Sequence, residues 1–242
     1  MIISAKSIIK PITESCLAVY HKKGVDALVK TIYTELLTPK IRFPLLEYAT
    51  HLLCDEIPQK QQLIACQQLI QYRTIGGNVM AGIVLQKYAE KNLRHAFSLA
   101  IEYILVGNEW YCCDIIAERV MGAALLKEPE NTIALLKKLA KHKADFAVRS
   151  IGVATHYAVK KGLKKIHVEE MFNLLLLLAN ASEFHTKTGI GWGAKTCAKF
   201  HPDIIKKYRD EINDEEKTKQ WFRTKVNIGL GRTYKYAARY TG

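Results

Sequence analysis

The stretch TGIGWGAKTCAKFHP (residues 188–202) decides the fold, because it admits two incompatible readings. Residues 189–196, GIGWGAKT, fall one residue short of the phosphate-binding pattern G-x-x-x-x-G-K-[ST], with Ala194 in place of the second glycine. Such a loop needs a strand before it and an acidic magnesium partner downstream. The preceding segment HVEEMFNLLLLLANASEF (167–184) instead carries a helical pattern that ends in a turn. The second reading is a helix carrying Gly189, Gly191 and Gly193 around Trp192. Each glycine inside a helix costs roughly 1 kcal/mol relative to alanine. A cost taken three times beside one indole requires a reason.

Part of the reason lies in a repeat. The segments EWYCCDIIAER (109–119), DFAVRSIGVAT (145–155), EFHTKTGIGWGAK (183–195) and QWFRTKVNIGLGR (220–232) each open on a polar residue and an aromatic. The aromatics Trp110, Phe146, Phe184 and Trp221 stand 36, 38 and 37 residues apart. A second column, Gly152, Gly191 and Gly229, is spaced by 39 and 38. A period near 37 suits one helical hairpin per unit, as in HEAT-type repeats, which stack into a curved solenoid. The glycine column explains Gly191 and Gly229 either as helix-on-helix packing or as room for a close approach to the backbone. Gly189 and Gly193, which flank Trp192, are expected to leave clearance for a ligand.

Helical periodicity runs from end to end. VDALVKTIYTELL (25–37), LLEYATHLLCDEI (45–57), QQLIACQQLIQYR (61–73) and AIEYILVGNEWYCCDIIAERVMGAALL (100–126) place apolar residues at i, i+3, i+4 and i+7. Pro39, Pro44, Pro58, Pro129 and Pro202 fall at helix starts or in turns. No segment alternates with period two over strand length. The expected fold is all-α, a HEAT-like helical repeat solenoid of about a dozen helices with a concave basic face, forming one domain over residues 1–242.

The chain has 242 residues, of which 49% are hydrophobic, so it is globular. Thirty-six basic against twenty-three acidic residues leave a net charge of +13, which favours a polyanionic partner: DNA, RNA or an anionic membrane surface. No apolar run has the length that spans a bilayer, and the N-terminal residues lack a signal-peptide pattern, so a cytoplasmic location, nuclear in a eukaryote, is expected. The cysteines Cys16, Cys54, Cys66, Cys112, Cys113 and Cys197 form no C-x-x-C pair, and the eight histidines form no ligand cluster. All six cysteines are expected as buried, reduced thiols, and neither a metal nor a cofactor is expected.

Trp110 and Asp114 lie at i and i+4, on one helix face. Arg149 falls three residues after Phe146 in the next unit, and Trp192 eight residues after Phe184 in the unit after that. Units stacked in register could bring two indoles, a carboxylate and a guanidinium to one surface. NEWYCCDIIAERVMG, DFAVRSIGVA and FHTKTGIGWGAKTCAKFHPDIIKKY resemble the AlkD-like DNA glycosylases, alkylation repair enzymes built of HEAT-like repeats. The resemblance covers roughly residues 105–210 and places the family's Trp-x-x-x-Asp on Trp110 and Asp114, its following arginine on Arg149 and its "IGW" tryptophan on Trp192.

The resemblance implies hydrolysis of the N-glycosidic bond of cationic N-alkylated purines, such as N7-alkylguanine and N3-alkyladenine, in duplex DNA and without base flipping. An alkylated purine already carries positive charge and leaves as a neutral base, so no acid need protonate it. What remains is to stabilise the oxocarbenium-like sugar. Asp114 is expected to do so electrostatically and to position water. Trp110 and Trp192 are expected to hold the lesion nucleotide through their electron-rich faces. Arg149, Lys187, Lys195 and Arg232 are the expected DNA contacts. Basic runs at 135–145, 159–167 and 206–210 fall near turns where phosphates could track. Tyr234, Tyr236, Tyr240, Lys235 and Arg239 are candidates for stacking on nucleic acid. A monomer acting on double-stranded DNA is expected. The rival readings are a catalytically silent DNA-binding relative and a protein-interaction scaffold.

Overall fold

In the computed structural model, which describes residues 2–232, helices dominate the described residues. Two units are set off by their internal contacts, Met1–Val120 and Met121–Gly242.

The first unit holds α1 (Lys6–Lys23), α2 (Val25–Ile32), α3 (Phe43–Glu56), α4 (Gln59–Gln71), α5 (Ile75–Ala89), α6 (Leu93–Gly107) and α7 (Trp110–Ala117). A π-helical turn, Tyr33–Leu37, extends α2. Two strands of two residues each, β1 (Ile2–Ile3) and β2 (Lys40–Ile41), pair in parallel. Pro44 opens α3 and Pro58 caps α4, as their positions in the sequence predict. Helix α5 is the core of this unit. Ten of its fifteen residues are buried, and α3, α4, α6 and α7 pack around it, so its sequence is apolar on nearly every face. Its start is capped by Thr74, whose hydroxyl accepts from the Gly77 N–H at 3.1 Å.

The second unit holds α8 (Ala123–Lys127), α9 (Pro129–Leu139), α10 (Asp145–Lys160), α11 (Lys165–Leu176), α12 (Phe184–Phe200), α13 (Pro202–Lys207), α14 (Arg209–Asn213) and α15 (Gln220–Leu230). Pro129 and Pro202 again stand at helix starts. Helix α9 packs with α10, α11 with α12, and α13 with α12; α10, α12 and α15 follow one another in series. This is the helical repeat read from the aromatic column. Trp110 and Phe184 are the first residues of α7 and α12, and Phe146 and Trp221 the second residues of α10 and α15. The column therefore marks helix starts. The three glycines of the second column are all buried, Gly152 and Gly229 against the backbone of a neighbouring helix and Gly191 against the stem of Lys225.

The series α10–α12–α15 explains the glycines. A β-carbon on Gly152 would lie 1.9 Å from the carbonyl oxygen of Gly189, and one on Gly189 would lie 2.5 Å from that of Arg149. At Gly193 it would meet the Gly152 oxygen at 2.9 Å, and at Gly229 the Lys195 oxygen at 2.3 Å. Side chains at these positions would hold the helices apart, so glycine is required by close backbone approach. The clearance expected at Gly189 and Gly193 is therefore overturned: α10 fills that space. The phosphate-loop reading falls too, because residues 189–196 lie inside α12.

Candidate nucleic-acid interface

Helix α7 presents Trp110 and Asp114 because of what its other side must bury. Helix α6 ends at Asn108 in the left-handed conformation, with φ 48° and ψ 38°. Glu109 is extended, and α7 begins at Trp110. Cys112, Cys113, Ile115 and Ile116 then face the core. The Cys112 thiol lies 3.5 Å from Asn78 Oδ1 and 3.6 Å from the Tyr103 carbonyl, and it fits because residue 107 is glycine; a β-carbon there would sit 2.3 Å from its sulfur. Burial pushes this thiol up to about 12, so it stays protonated and inert. The paired cysteines thus serve as the inner face of α7. Trp110 and Asp114 lie on the other side, with the indole 54% exposed and the carboxylate half-buried. Past the end of α7, Arg119 extends over Gly82 and its Nη2 meets Glu47 Oε1 at 2.6 Å, tying that end of the segment to α3 and α5.

In the second unit the site residues gather on α10, α12 and α15. Trp192 is half-buried, and its ring stacks on His156 of α10 with centroids 4.0 Å apart and planes 26° apart. His156 Nδ1 lies 2.7 Å from Thr196 Oγ1, and the Thr196 hydroxyl donates to the Trp192 carbonyl at 2.9 Å. Burial, then Lys160, Lys195 and Lys199, bring the His156 pKa down to about 4, so the ring is neutral at pH 7.

A cluster of cations stands beside this stack. The Lys195 ammonium is pushed below its ordinary pKa by burial, then by Arg232, Lys225 and Lys199. Lys225 reaches it from α15 by running its stem across Gly191, where a β-carbon would meet Lys225 Cγ at 2.8 Å. Of the expected DNA contacts, Lys195 and Arg232 join this cluster. Lys187 stands two helical turns earlier on α12, about 12 Å of rise away. Arg149 is only 4% exposed; its stem packs on Gly189 and its Nη1 donates to the His185 carbonyl at 3.4 Å. Trp110 and Asp114 belong to the first unit, and Arg149 and Trp192 to the second.

Three contributors were not singled out from the sequence. Lys199 follows Lys195 by four residues, so its place on the same face was legible. Lys225 and His156 enter through packing between helices and leave no local signal. The five aromatic and basic positions from Tyr234 to Tyr240 lie outside the described residues. Of the six cysteines, five are buried and Cys54 is half-buried, and none is in a disulfide. Among the described residues no His, Cys, Asp or Glu cluster could hold a metal ion, and no helix is long and apolar enough to cross a membrane.

Comparison with known proteins gives the chemistry a context. No curated protein and no solved structure matches the chain. The model of one protein family, described as DNA alkylation repair enzyme, matches residues 33–224, a span that includes Trp110, Asp114, Arg149, Lys187, Trp192 and Lys195 and stops short of Arg232. The chain belongs to this family of DNA alkylation repair enzymes.

Proposed function

We propose that the protein is a DNA glycosylase that hydrolyses the N-glycosidic bond of cationic N-alkylated purines, N7-alkylguanine and N3-alkyladenine, in duplex DNA. The observation that carries this reading is the pairing on α7 of an exposed indole with a carboxylate one turn later, within the span matched by a DNA alkylation repair family. A cationic purine is a good leaving group as it stands. The barrier lies in the positive charge that develops on the deoxyribose as the bond lengthens. A carboxylate held on a helix stabilises that charge without reorganising at the moment of reaction, and Asp114 takes this role. It also orients, and accepts a proton from, the water that attacks C1′.

Trp110 and Trp192 hold the lesion nucleotide. An indole face attracts a cation by about 0.5–2 kcal/mol, more as water is excluded, so it favours the charged nucleotide and the sugar as it becomes cationic. Lys195, Lys199, Lys225 and Arg232 supply phosphate contacts, Lys187 adds one further along α12, and Arg149 serves a phosphate beside the lesion. The protein acts as a monomer, without a cofactor and with the base left in the stack.

The test is release of free base from duplex DNA containing N7-methylguanine. Wild type is expected to release it, and Asp114→Asn to lose turnover by at least about a hundredfold while keeping its affinity for DNA. Equal background release by both would leave a silent DNA-binding relative as the better description.

A further inference from the structure

We propose that His156, as a neutral imidazole protonated on Nδ1, is a positioning residue for the Trp192 indole. The proposal deepens the glycosylase reading and rests on it for the role of Trp192. Three contacts close a loop. The Trp192 carbonyl accepts from the Thr196 hydroxyl at 2.9 Å, Thr196 Oγ1 lies 2.7 Å from His156 Nδ1, and the His156 ring lies 4.0 Å from the Trp192 ring. A carbonyl can only accept, so the single hydroxyl proton of Thr196 is committed to Trp192. The Thr196 oxygen is then left to accept, so Nδ1 carries a proton and donates it to Thr196, in the neutral ring and the imidazolium alike.

The surroundings select the neutral form, in which Nε2 keeps a bare lone pair. Lys160 on α10 and Lys195 and Lys199 on α12 face this imidazole, and a second positive charge among them would be repelled. Neutrality matters to the indole. A protonated ring stacked on Trp192 would already occupy the electron-rich π system as a cation and would repel a cationic nucleotide on its other face. A neutral ring backs the indole and fixes its tilt while leaving that attraction for the lesion. Because Thr196 is one turn along α12 from Trp192, the loop ties the ring to its own backbone through a residue of α10.

Two spectroscopic measurements and one kinetic measurement test the proposal. Long-range proton–nitrogen correlation spectra at pH 7, with the His156 signal assigned by its absence from His156→Gln, are expected to show a proton on Nδ1 and none on Nε2. A proton on Nε2, or on both, overturns the proposal. The Trp192 indole N–H signal, assigned through Trp192→Phe, is expected to shift in Thr196→Val and His156→Ala and to move back toward wild type in His156→Phe, which restores a flat ring. A signal indifferent to all three also overturns it.

Single-turnover base release is expected to fall about tenfold in His156→Ala and to recover to within about threefold in His156→Phe, with affinity for undamaged DNA unchanged, as for a misplaced catalytic contact. If wild type releases no base, the glycosylase reading fails and the two spectra still decide whether His156 positions the indole. If wild type releases base and His156→Ala matches its rate, the positioning role fails and the glycosylase reading stands.

Discussion

Gly152 and Gly189 bring two helices to backbone contact: a β-carbon on Gly152 would stand 1.9 Å from the Gly189 carbonyl oxygen and 2.6 Å from the Ile190 nitrogen. Neither neighbour is the flexible end of a side chain, so the helices themselves must move. In an open helix, glycine to alanine stabilises by about 1 kcal/mol. Here overpacking reverses the sign. Gly152→Ala is expected to destabilise by at least about 2 kcal/mol in denaturant melts, and Gly193→Ala, 2.9 Å from the Gly152 oxygen, by less. Stabilisation of either variant with loss of DNA binding would restore the idea that these glycines clear a path for a strand.

On α7 the two exposed-face residues are expected to fail differently. Trp110→Ala removes ground-state and transition-state attraction together, so both the affinity for lesion-containing DNA and the rate should fall. Asp114→Asn keeps shape and removes charge, so affinity should hold while single-turnover release collapses. Binding isotherms and release kinetics on one N7-methylguanine duplex separate the two. Matching losses of affinity in both variants would count against an electrostatic role for Asp114.

The cations beside Trp192 should appear in the salt dependence. Each phosphate contact contributes about 0.9 to the slope of log affinity against log salt. Lys225→Ala and Arg232→Ala are each expected to lower the slope by about that amount without changing base preference. Arg149→Gln is the sharper case, because its guanidinium is also bonded to the His185 carbonyl. The phosphate role predicts the same fall in slope. A lower Tm with an unchanged slope would leave Arg149 as a brace between α10 and α12.

His156 also makes a stability prediction. Its folded pKa of about 4 lies below the ordinary histidine value of 6.5. As pH falls below 6.5 the unfolded chain takes up a proton at this ring and the native protein does not. Stability is therefore complete above pH 6.5 and declines down to about pH 4. The difference between wild type and His156→Gln isolates this from the carboxylates, and it should shrink over that window by up to about 3 kcal/mol. A difference independent of pH would mean that the imidazole titrates alike in the native and unfolded chains, and one that shrinks as pH rises would mean that it is held charged in the native state.

Local physics determined much of this protein. The 3.6-residue apolar period predicted the helices, Pro44, Pro58, Pro129 and Pro202 marked their starts, and the aromatic column found the first turns of α7, α10, α12 and α15. These signals survive in a single sequence because each depends on residues within a turn or two of one another. The same locality placed Trp110 and Asp114 on one face of α7. What a residue meets across a helix interface is another matter. Gly191 was visible as part of a column, but only packing shows that the stem of Lys225 crosses it. The clearance expected at Gly189 and Gly193 went wrong because glycine permits any close approach, and the sequence does not say whether a ligand or another helix makes it. His156 and Thr196 are 40 residues apart, and nothing near either announces the other. Helices follow from neighbours along the chain, whereas stacking, buried protonation states and the gathering of Lys195, Lys199, Lys225 and Arg232 follow from distances that exist only once α10, α12 and α15 have packed.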